Sequence, residues 1–321
     1  MTSTREFCAE LEDTSLPTSS ISASSSSSSK LLAQLSTDCV GFGTPFTTPF
    51  GTKRMIYADW TASGRALRFI EKHITEDVLP FYGNTHTTTS ITGLQSTCFR
   101  HEARQVVAQA VNANTRTDVV LFVGHGATGA VNRLVHVLGL HLPLPPTHSP
   151  KDQAVVFVGP HEHHSNLLPW RESSAEVVVI GEDDMGRLNV QDLEQKLKKY
   201  EARKVKIGTF SAASNVTGIL APVDTITALL HRYGALSFWD YATAAPYVTL
   251  DMNPIVTGKD RTLVSKDAVF ISPHKFLGGP NTPGVLVAKK SLFTNDTPAV
   301  PGGGTVFYVT DNDRRYLSNR I

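Results

Sequence analysis

The 321-residue chain is poor in cysteine, has no long hydrophobic run and carries almost no net charge. Its three cysteines, Cys8, Cys39 and Cys98, are scattered and odd in number, which argues against a disulfide framework and favours a reducing compartment. No apolar run approaches the roughly 20 residues that a membrane-spanning helix needs. We therefore expect a cytoplasmic protein without a membrane partner.

The balance of charge also bears on whether the protein binds nucleic acid. Thirty lysine and arginine residues stand against 29 aspartate and glutamate residues, which leaves a net charge of +1. Nucleic-acid-binding proteins usually present a basic face, a zinc-finger spacing or an RNA-binding motif, and this sequence contains none of them. We expect no nucleic-acid partner.

The N-terminal segment has the composition of a disordered tail. Residues 14–30 are mostly serine and threonine, which cannot bury enough apolar surface to offset the entropy of ordering them. Residues 1–13 contain one arginine and four acidic residues, unlike an organelle transit peptide. We predict disorder over residues 1–36 and a globular fold beyond them.

Beyond the tail, short β-branched runs alternate with helical patterns. Most of these runs are apolar on both faces, which is typical of strands covered by helices on each side. The alternation predicts an α/β fold with a seven-stranded, mostly parallel sheet and helices on both faces. The predicted strands are 119–123, 154–158, 176–180, 205–210, 235–239, 268–272 and 284–288, and the main predicted helices are 66–79, 94–111, 190–200 and 222–233. In such sheets, ligands bind beyond the carboxyl ends of the strands, so the residues after each run are the candidates for function.

A small-residue turn over residues 124–129 follows the first predicted strand and leads into a helical pattern. Free amides and a partial positive charge at a helix N-terminus, together with the Thr128 hydroxyl, suit a phosphate group. A tight turn that requires glycine explains the same residues equally well. The lysine of a nucleotide P-loop is missing, which disfavours an ATPase.

Three histidines and a glutamate, His161, Glu162, His163 and His164, follow the second predicted strand. A metal site is one interpretation, but the order is not HExxH, and adjacent positions on an extended chain point to opposite sides. A flat aromatic ligand stacked on one imidazole is the better interpretation.

Two further strand ends carry polar side chains. Asn215 lies in a polar loop that could aim an amide at a ligand or could simply form a capped turn. Asp240 ends an apolar run and needs a cationic or proton-donating partner, because an unpaired buried charge is unfavourable. It could instead cap a helix.

Lys275 follows a buried strand directly, beside His274 and ahead of a glycine-rich turn. Lysines normally lie on exposed helices or edges, so this position is unusual. Partial desolvation and a cationic neighbour would lower the pKa of the amine and make it nucleophilic.

These parts together meet the requirements for binding pyridoxal phosphate. A lysine amine forms a Schiff base with the aldehyde, an aspartate keeps the pyridine nitrogen protonated, and an imidazole covers the ring face. A helix N-terminus with nearby hydroxyl groups holds the phosphate. The sequence therefore predicts this cofactor at the carboxyl edge of the sheet.

The sequence also resembles a known family in the motifs that follow the strands. GHGATGAVN, HEHHSNLLPW, SNVTG, WDYATAAPY and SPHKFLGGPNTPG are similar to the class V aminotransferases, which are fold type I pyridoxal phosphate enzymes. The resemblance extends over roughly residues 57–308 and is nearest to the cysteine desulfurase and selenocysteine lyase branch.

The resemblance implies a role for each residue that matches a family motif. Lys275 would form the Schiff base, Asp240 would face the ring nitrogen, and His163 would stack on the ring. The other cofactor-binding residues that it implies are Ala127, Thr128, Asn215, Thr243, Ser272, His274 and Thr305. Thr243 replaces the glutamine that desulfurases usually have, so the hydrogen bond to the ring oxygen would be changed or lost. Thr305 belongs to a segment that would reach the cofactor phosphate of a neighbour in a homodimer with sites at the subunit interface.

The resemblance further implies a large cofactor-binding domain over residues 37–300. Residues 301–321 would form an interface segment and the start of a truncated small domain. The arginine that binds the substrate carboxylate and the cysteine that accepts sulfur cannot be assigned, and Cys98 is expected in the core.

We expect a transferase or lyase that acts on a small amino acid, most like a cysteine desulfurase. Three alternatives stay open: another aminotransferase or lyase of the family, a cofactor-binding remnant without activity, and a metal-dependent hydrolase built on His161, His163 and His164.

Overall fold

The computed structural model describes residues 25–85, 87, 89–256 and 261–317. The chain divides into two compact units. One unit is formed by Met1–Gln105 and Phe276–Pro280, and the other by Val106–Lys275 and Asn281–Ile321.

The smaller unit is mainly helical. Its elements are helix α1 (Ser25–Asp38), the antiparallel hairpin of strands β1 (Pro45–Thr48) and β2 (Gly51–Arg54), helix α2 (Arg68–His73) and most of helix α3 (Ile91–Ala110). The predicted helix 66–79 corresponds to α2 and the π-helical and 3₁₀ turns that continue it to Phe81. Cys98 lies on α3 and is 4% exposed, as expected of a core residue.

The prediction of a disordered tail over residues 1–36 is wrong for the last part of that range. Residues 1–24 lie outside the described residues, but residues 25–36 belong to α1. The prediction of disorder was based on the serine tract alone. The residues that follow it, Leu31 to Gln34, favour a helix, because leucine, alanine and glutamine have high helix propensities. The end of α1 is also tied to α2, because Arg68 Nη1 donates to the Thr37 carbonyl oxygen at 2.8 Å.

The larger unit is built on a seven-stranded sheet, and all seven predicted strands are confirmed. They are β3 (Asp118–Val123), β4 (Val155–Val158), β5 (Glu176–Val179), β6 (Lys206–Ser211), β7 (Leu236–Asp240), β8 (Ala268–Ile271) and β9 (Gly284–Lys289). Their spatial order is β3-β9-β8-β7-β6-β4-β5. The five strands from β8 to β5 are parallel, and β9 runs antiparallel to both of its neighbours.

Helices cover both faces of this sheet. They are α4 (Gly126–Val137), α5 (Leu168–Arg171), α6 (Val190–Lys199), α7 (Val223–Arg232) and α8 (Arg261–Val264). Ile207 belongs to the hydrophobic cluster that includes the buried face of α4. The next residue, Gly208, points to the opposite face, where Leu230 of α7 lies so close that a Cβ on Gly208 would be 2.6 Å from it. The predicted mostly parallel sheet between helical layers is therefore confirmed.

The last described segment is an antiparallel hairpin of strands β10 (Val306–Val309) and β11 (Arg314–Tyr316). None of the helices in the described parts of the chain is long and apolar enough to span a membrane.

Candidate active site

The turn between β3 and α4 meets the segment after β8 at the carboxyl edge of the sheet. The Ala127 N–H donates to Ser272 Oγ at 2.9 Å. Gly126 has a φ of +53°, and a Cβ there would lie 2.8 Å from both Ser272 Oγ and His274 Cε1. Only glycine fits this backbone and this space without strain. The structure thus brings together three of the residues predicted to hold a phosphate, Ala127, Ser272 and His274, at the N-terminus of a 12-residue helix.

Thr128 and His163 are joined through Ser165. Thr128 Oγ1 donates to Ser165 Oγ at 2.7 Å, and Ser165 Oγ lies 3.0 Å from His163 Nδ1. Nδ1 also accepts the Ser165 N–H at 3.1 Å, so it carries no proton and the ring proton is on Nε2. Partial burial and the charges of Lys275 and His164 lower the pKa of His163, which favours this neutral ring.

Asp240 is the last residue of β7 and is only 5% exposed. Its Oδ1 accepts the Ala242 N–H at 2.8 Å, and this is the one hydrogen bond of its carboxylate among the described residues. Burial raises the pKa of Asp240 to about 6, although the Ala242 N–H and the charge of Lys275 oppose the increase. A cationic N–H group would therefore be a favourable partner for this carboxylate.

Lys275 ends the 3₁₀ turn Pro273–Lys275 that follows β8, and it is half-buried. Burial lowers its pKa, and the charge of Asp240 opposes that decrease. Both Lys275 and Asp240 are described residues, but no ion pair joins them. The Lys275 amine and the Asp240 carboxylate therefore lie more than 4.0 Å apart. The charge of each nevertheless shifts the pKa of the other, as expected of two groups at the carboxyl ends of the neighbouring parallel strands β7 and β8.

Glu162 is a residue of this site that the sequence analysis did not assign a role. Its Oε1 accepts the Ser211 N–H at 2.9 Å, and its Oε2 accepts Ser211 Oγ at 2.9 Å and Asn166 Nδ2 at 2.7 Å. Burial of the carboxylate raises the pKa of Glu162 to about 7 against these hydrogen bonds, and the charge of Asp240 adds to the increase. Ser211 is paired with Asp240 across strands β6 and β7, so the two carboxyl groups belong to one site.

Asn166 extends this network into the core. It is fully buried, and its Oδ1 accepts Trp170 Nε1 at 3.2 Å and Thr209 Oγ1 at 2.8 Å. Both polar atoms of the Asn166 side chain are therefore hydrogen-bonded, and their partners lie in the turn after β4, in α5 and in β6. The segment between β4 and α5, which carries His163, is held firmly against strand β6.

Three of the predicted cofactor-binding residues have no hydrogen bond to this cluster within the described parts of the chain. Asn215 is exposed in a turn in which Ser214 Oγ accepts the N–H groups of residues 216 and 217 at 3.2 Å. Thr243 is half-buried in the loop after β7. Thr305 forms a local turn, because its Oγ1 donates to the Gly302 carbonyl oxygen at 2.7 Å. Their roles toward a cofactor stay predictions.

The histidines of this segment are not arranged around a common point. His161 Nε2 lies 3.6 Å from Glu182 Oε1, whereas His163 contacts Ser165. The ring centroids of His163 and His164 are 5.8 Å apart. No group of three or more histidine, cysteine or acidic residues is placed to hold a metal ion in the part of the chain that the structure describes.

The family model and the similar proteins all belong to one group of enzymes. The sequence model of the aminotransferase class V family matches residues 56–319. The chain is 25% identical over 267 residues to the "Probable cysteine desulfurase" of Streptomyces coelicolor, with 82% of this chain and 59% of that protein covered. It is 28% identical over 259 residues to the "Probable cysteine desulfurase" of Pyrococcus abyssi, with 79% and 58% covered.

Among solved structures, the apo cysteine desulfurase of Thermococcus onnurineus superposes with a TM-score of 0.65 at 25% identity. That comparison covers 82% of this chain and 60% of the other. The chain thus spans about three fifths of the length of the proteins it matches.

Proposed function

Because the chain belongs to the class V aminotransferase family, we propose that it forms the cofactor-binding part of a cysteine desulfurase-like enzyme that acts on a small amino acid. Class V aminotransferases and cysteine desulfurases use pyridoxal phosphate. The observation that carries the proposal is that Asp240 ends β7 and Lys275 follows the neighbouring parallel strand β8, so both lie at the same edge of the sheet, where each charge shifts the pKa of the other.

The residues of the site fit this cofactor. The buried Asp240 carboxylate has a single hydrogen bond among the described residues and suits a protonated ring nitrogen. The Ala127 turn, Ser272 and His274 surround Gly126, a position where a side-chain carbon would not fit, which suits the close approach of a phosphate to backbone amides. The neutral His163 ring suits stacking on a flat heterocycle, because it adds no positive charge beside a cationic ring.

Each of these residues would have a defined task. When bound, pyridoxal phosphate supplies an aldehyde that captures amines and a ring that withdraws electrons from the α carbon. Lys275, whose pKa is lowered by burial, provides a neutral amine more readily than an exposed lysine and can accept or return a proton. Asp240 holds a proton on the ring nitrogen, and the N-terminus of α4 orients the phosphate. His163 would exclude water from one ring face.

The choice of reaction depends on groups beyond this site. The roles of Asn215 and Thr243 toward the cofactor, and the identity of the carboxylate-binding and sulfur-accepting groups, would decide between sulfur removal, transamination and elimination. We place the chain nearest to the desulfurase and selenocysteine lyase branch because its solved and curated relatives are described as cysteine desulfurases.

We also propose that the protein is a cytoplasmic homodimer. The hairpin of β10 and β11 exposes Phe307 and Val309 at 71% and 63%, and Val300 just before it at 61%. Exposed apolar side chains of this kind are typical of a protein interface. In a dimer, Thr305 at the base of the hairpin would be carried to the partner's site. Size-exclusion chromatography with light scattering tests this point, with Phe307→Ser expected to give a monomer.

The central experiment is reconstitution of the full chain with pyridoxal phosphate. We expect a visible absorption band at roughly 410–430 nm, lost in Lys275→Ala and retained in the control Lys199→Ala, which changes an exposed lysine of α6. Borohydride reduction followed by peptide mapping should place the attached cofactor on Lys275. A wild-type chain that stays colourless, or a cofactor attached to another lysine, would contradict the proposal. A band without turnover of any amino acid would indicate a binding domain that lacks parts of the active site.

A further inference from the structure

A cavity beside the end of β7 is lined by none of the residues described above for the candidate active site. Its volume is about 370 Å³, within the range of sites that hold small organic molecules. The first turn of α7 and the segments after β6 and β7 form its wall, which is partly apolar, with alanine, leucine, proline and valine side chains. The polar residues of this wall, which define what we call the Tyr241 cavity, are Asp224, Thr225, Tyr241, Thr249, Asp251 and Lys266.

The hydroxyl group of Tyr241 points to a ligand in this cavity. Tyr241 is only 4% exposed, and its hydroxyl group has no hydrogen bond to any residue that the structure describes. Burial and the charges of Asp224 and Asp251 raise the pKa of the phenol, so both carboxylates are near enough to act on it. Buried tyrosines usually have a hydrogen-bond partner for the hydroxyl group. Here that partner can come only from the contents of the cavity.

The charged side chains that line the cavity do not cancel. Lys266 is 2% exposed, and its Nζ donates to Asp224 Oδ1 at 3.1 Å. This ion pair leaves Asp251 as the carboxylate of the cavity that has no ion pair among the described residues. Asp251 Oδ1 accepts the Asn253 N–H at 2.9 Å and Asn112 Nδ2 at 2.8 Å, so Oδ2 stays open to a further donor. The wall therefore carries an excess negative charge.

A primary ammonium group has the chemistry that matches this wall. It brings a positive charge for Asp251 and N–H donors for both the carboxylate and the Tyr241 oxygen. An anion is disfavoured, because Lys266 is already paired with Asp224. A neutral molecule would leave the charge of Asp251 without compensation. The apolar part of the wall suits a short hydrocarbon chain attached to the ammonium group.

We propose that the Tyr241 cavity binds a small organic cation, namely a primary ammonium group on a short apolar chain. Asp251 and Tyr241 bind the ammonium group, and the ion pair with Lys266 fixes Asp224 in the same wall. The proposal is independent of the proposed function, because it involves neither the cofactor nor Lys275.

The test is calorimetric titration of the full chain with n-butylammonium at neutral pH, after borohydride reduction to remove any aldehyde that would capture the amine. The neutral and anionic probes of similar size are n-butanol and butyrate. We expect n-butylammonium to bind at least about tenfold more tightly than either, because it alone compensates the charge of Asp251.

Three variants locate the bound cation. Asp251→Asn should weaken the binding of n-butylammonium about tenfold, since it removes the charge but keeps the shape of the side chain. Tyr241→Phe should weaken it about fivefold, since it removes only the hydroxyl group. The matched control is Asp184→Asn, at an exposed position between β5 and α6, which should bind like wild type.

Several results would overturn the proposal. They are no binding of n-butylammonium, equal binding of all three probes, and binding that Asp251→Asn or Tyr241→Phe leaves unchanged. If Asp251→Asn does not fold, Tyr241→Phe and the comparison of the probes on wild type decide the question. A chain that binds n-butylammonium as expected but never develops a visible band with pyridoxal phosphate would contradict the proposed function alone.

Discussion

At the scale of single residues, the site depends on carboxyl groups that folding removes from water. Among the described residues the Asp240 carboxylate accepts one hydrogen bond and the Glu162 carboxylate accepts three, and burial raises the pKa of both. Ionisation of a buried carboxylate is unfavourable when few hydrogen-bond donors surround it, unless a cation binds beside it. The apoprotein should therefore gain stability when such a carboxylate is removed.

The first prediction concerns Asp240→Asn in the apoprotein. The pKa of Asp240 is raised to about 6 in the folded chain, from 3.8 in the unfolded chain. The folded state therefore binds more protons between these values, and wild-type stability falls as the pH rises through this window. At pH 7 to 8 the variant should be more stable than wild type by about 2–3 kcal/mol, and this advantage should vanish below pH 4.

Urea denaturation at several pH values measures this difference. The same substitution should lower turnover by roughly 100-fold or more in the reconstituted protein, because an amide cannot hold a proton on a ring nitrogen as a carboxylate does. Asp240→Glu restores the charge and should recover part of the activity. An apoprotein variant that is less stable than wild type at pH 8 would show that burial of Asp240 is not the dominant effect.

The sequence allowed some of these residues to be predicted and not others. Asp240 ends one buried strand and Lys275 comes shortly after another, where a charged side chain is conspicuous. Glu162 stands among three histidines, and its partner Ser211 comes from a strand that is distant in sequence. Only the register of β6 against β4 and β7 reveals that these side chains meet.

At the scale of elements, the junction of α4 with the segment after β8 determines the shape of the site. The left-handed backbone of Gly126 lets α4 begin directly against Ser272 and His274. The strands themselves were predictable from their β-branched, apolar runs. The antiparallel direction of β9 was not, because a run that is buried on both faces has the same pattern in either direction.

The second prediction uses two glycines that bracket α4. Gly126→Ala combines a left-handed φ with contacts of 2.8 Å, whereas Gly139→Ala has a φ of +70° and nothing within 4 Å of the added carbon. Both variants should lose about 1 kcal/mol of stability from backbone strain. Gly126→Ala should lose more, and it should weaken cofactor binding at least about tenfold, since the added methyl group displaces the residues proposed to hold the phosphate.

Fluorescence titration with pyridoxal phosphate and thermal unfolding distinguish the two effects. Gly139→Ala is expected to bind the cofactor like wild type despite its lower stability. Equal cofactor affinity in the two variants would contradict the proposed position of the phosphate.

At the scale of the whole molecule, stability depends on connections between elements that are far apart in sequence. His231 near the end of α7 places Nε2 2.9 Å from Asp267 Oδ2 and Nδ1 3.0 Å from the Leu263 carbonyl oxygen. Both ring nitrogens therefore donate, which requires the protonated imidazolium. Burial opposes this charge, but the hydrogen bond and the charge of Asp267 raise the pKa of His231 above its ordinary value.

The third prediction follows from the sign of that shift. The contribution of His231 to stability should be fully present below about pH 6.5 and should be lost as the pH rises through the raised pKa of the folded state. His231→Gln should therefore destabilise the protein by about 1–2 kcal/mol at pH 6 and by less at pH 9. Urea denaturation at the two pH values measures this change. His101→Gln, at an exposed position on α3, is the control and should show no such pH dependence.

The place of β3 at the edge of the sheet has a consequence for biosynthesis. In the described chain, β3 pairs only with β9, with Asp118 opposite Lys289, so its partner leaves the ribosome long after it does. Contacts between such distant segments form slowly, because a long loop must close first. The turn beside Gly126 and the Lys275 segment therefore meet only after β9 has been synthesised, and under the proposed function the vitamin B6 cofactor binds after that point.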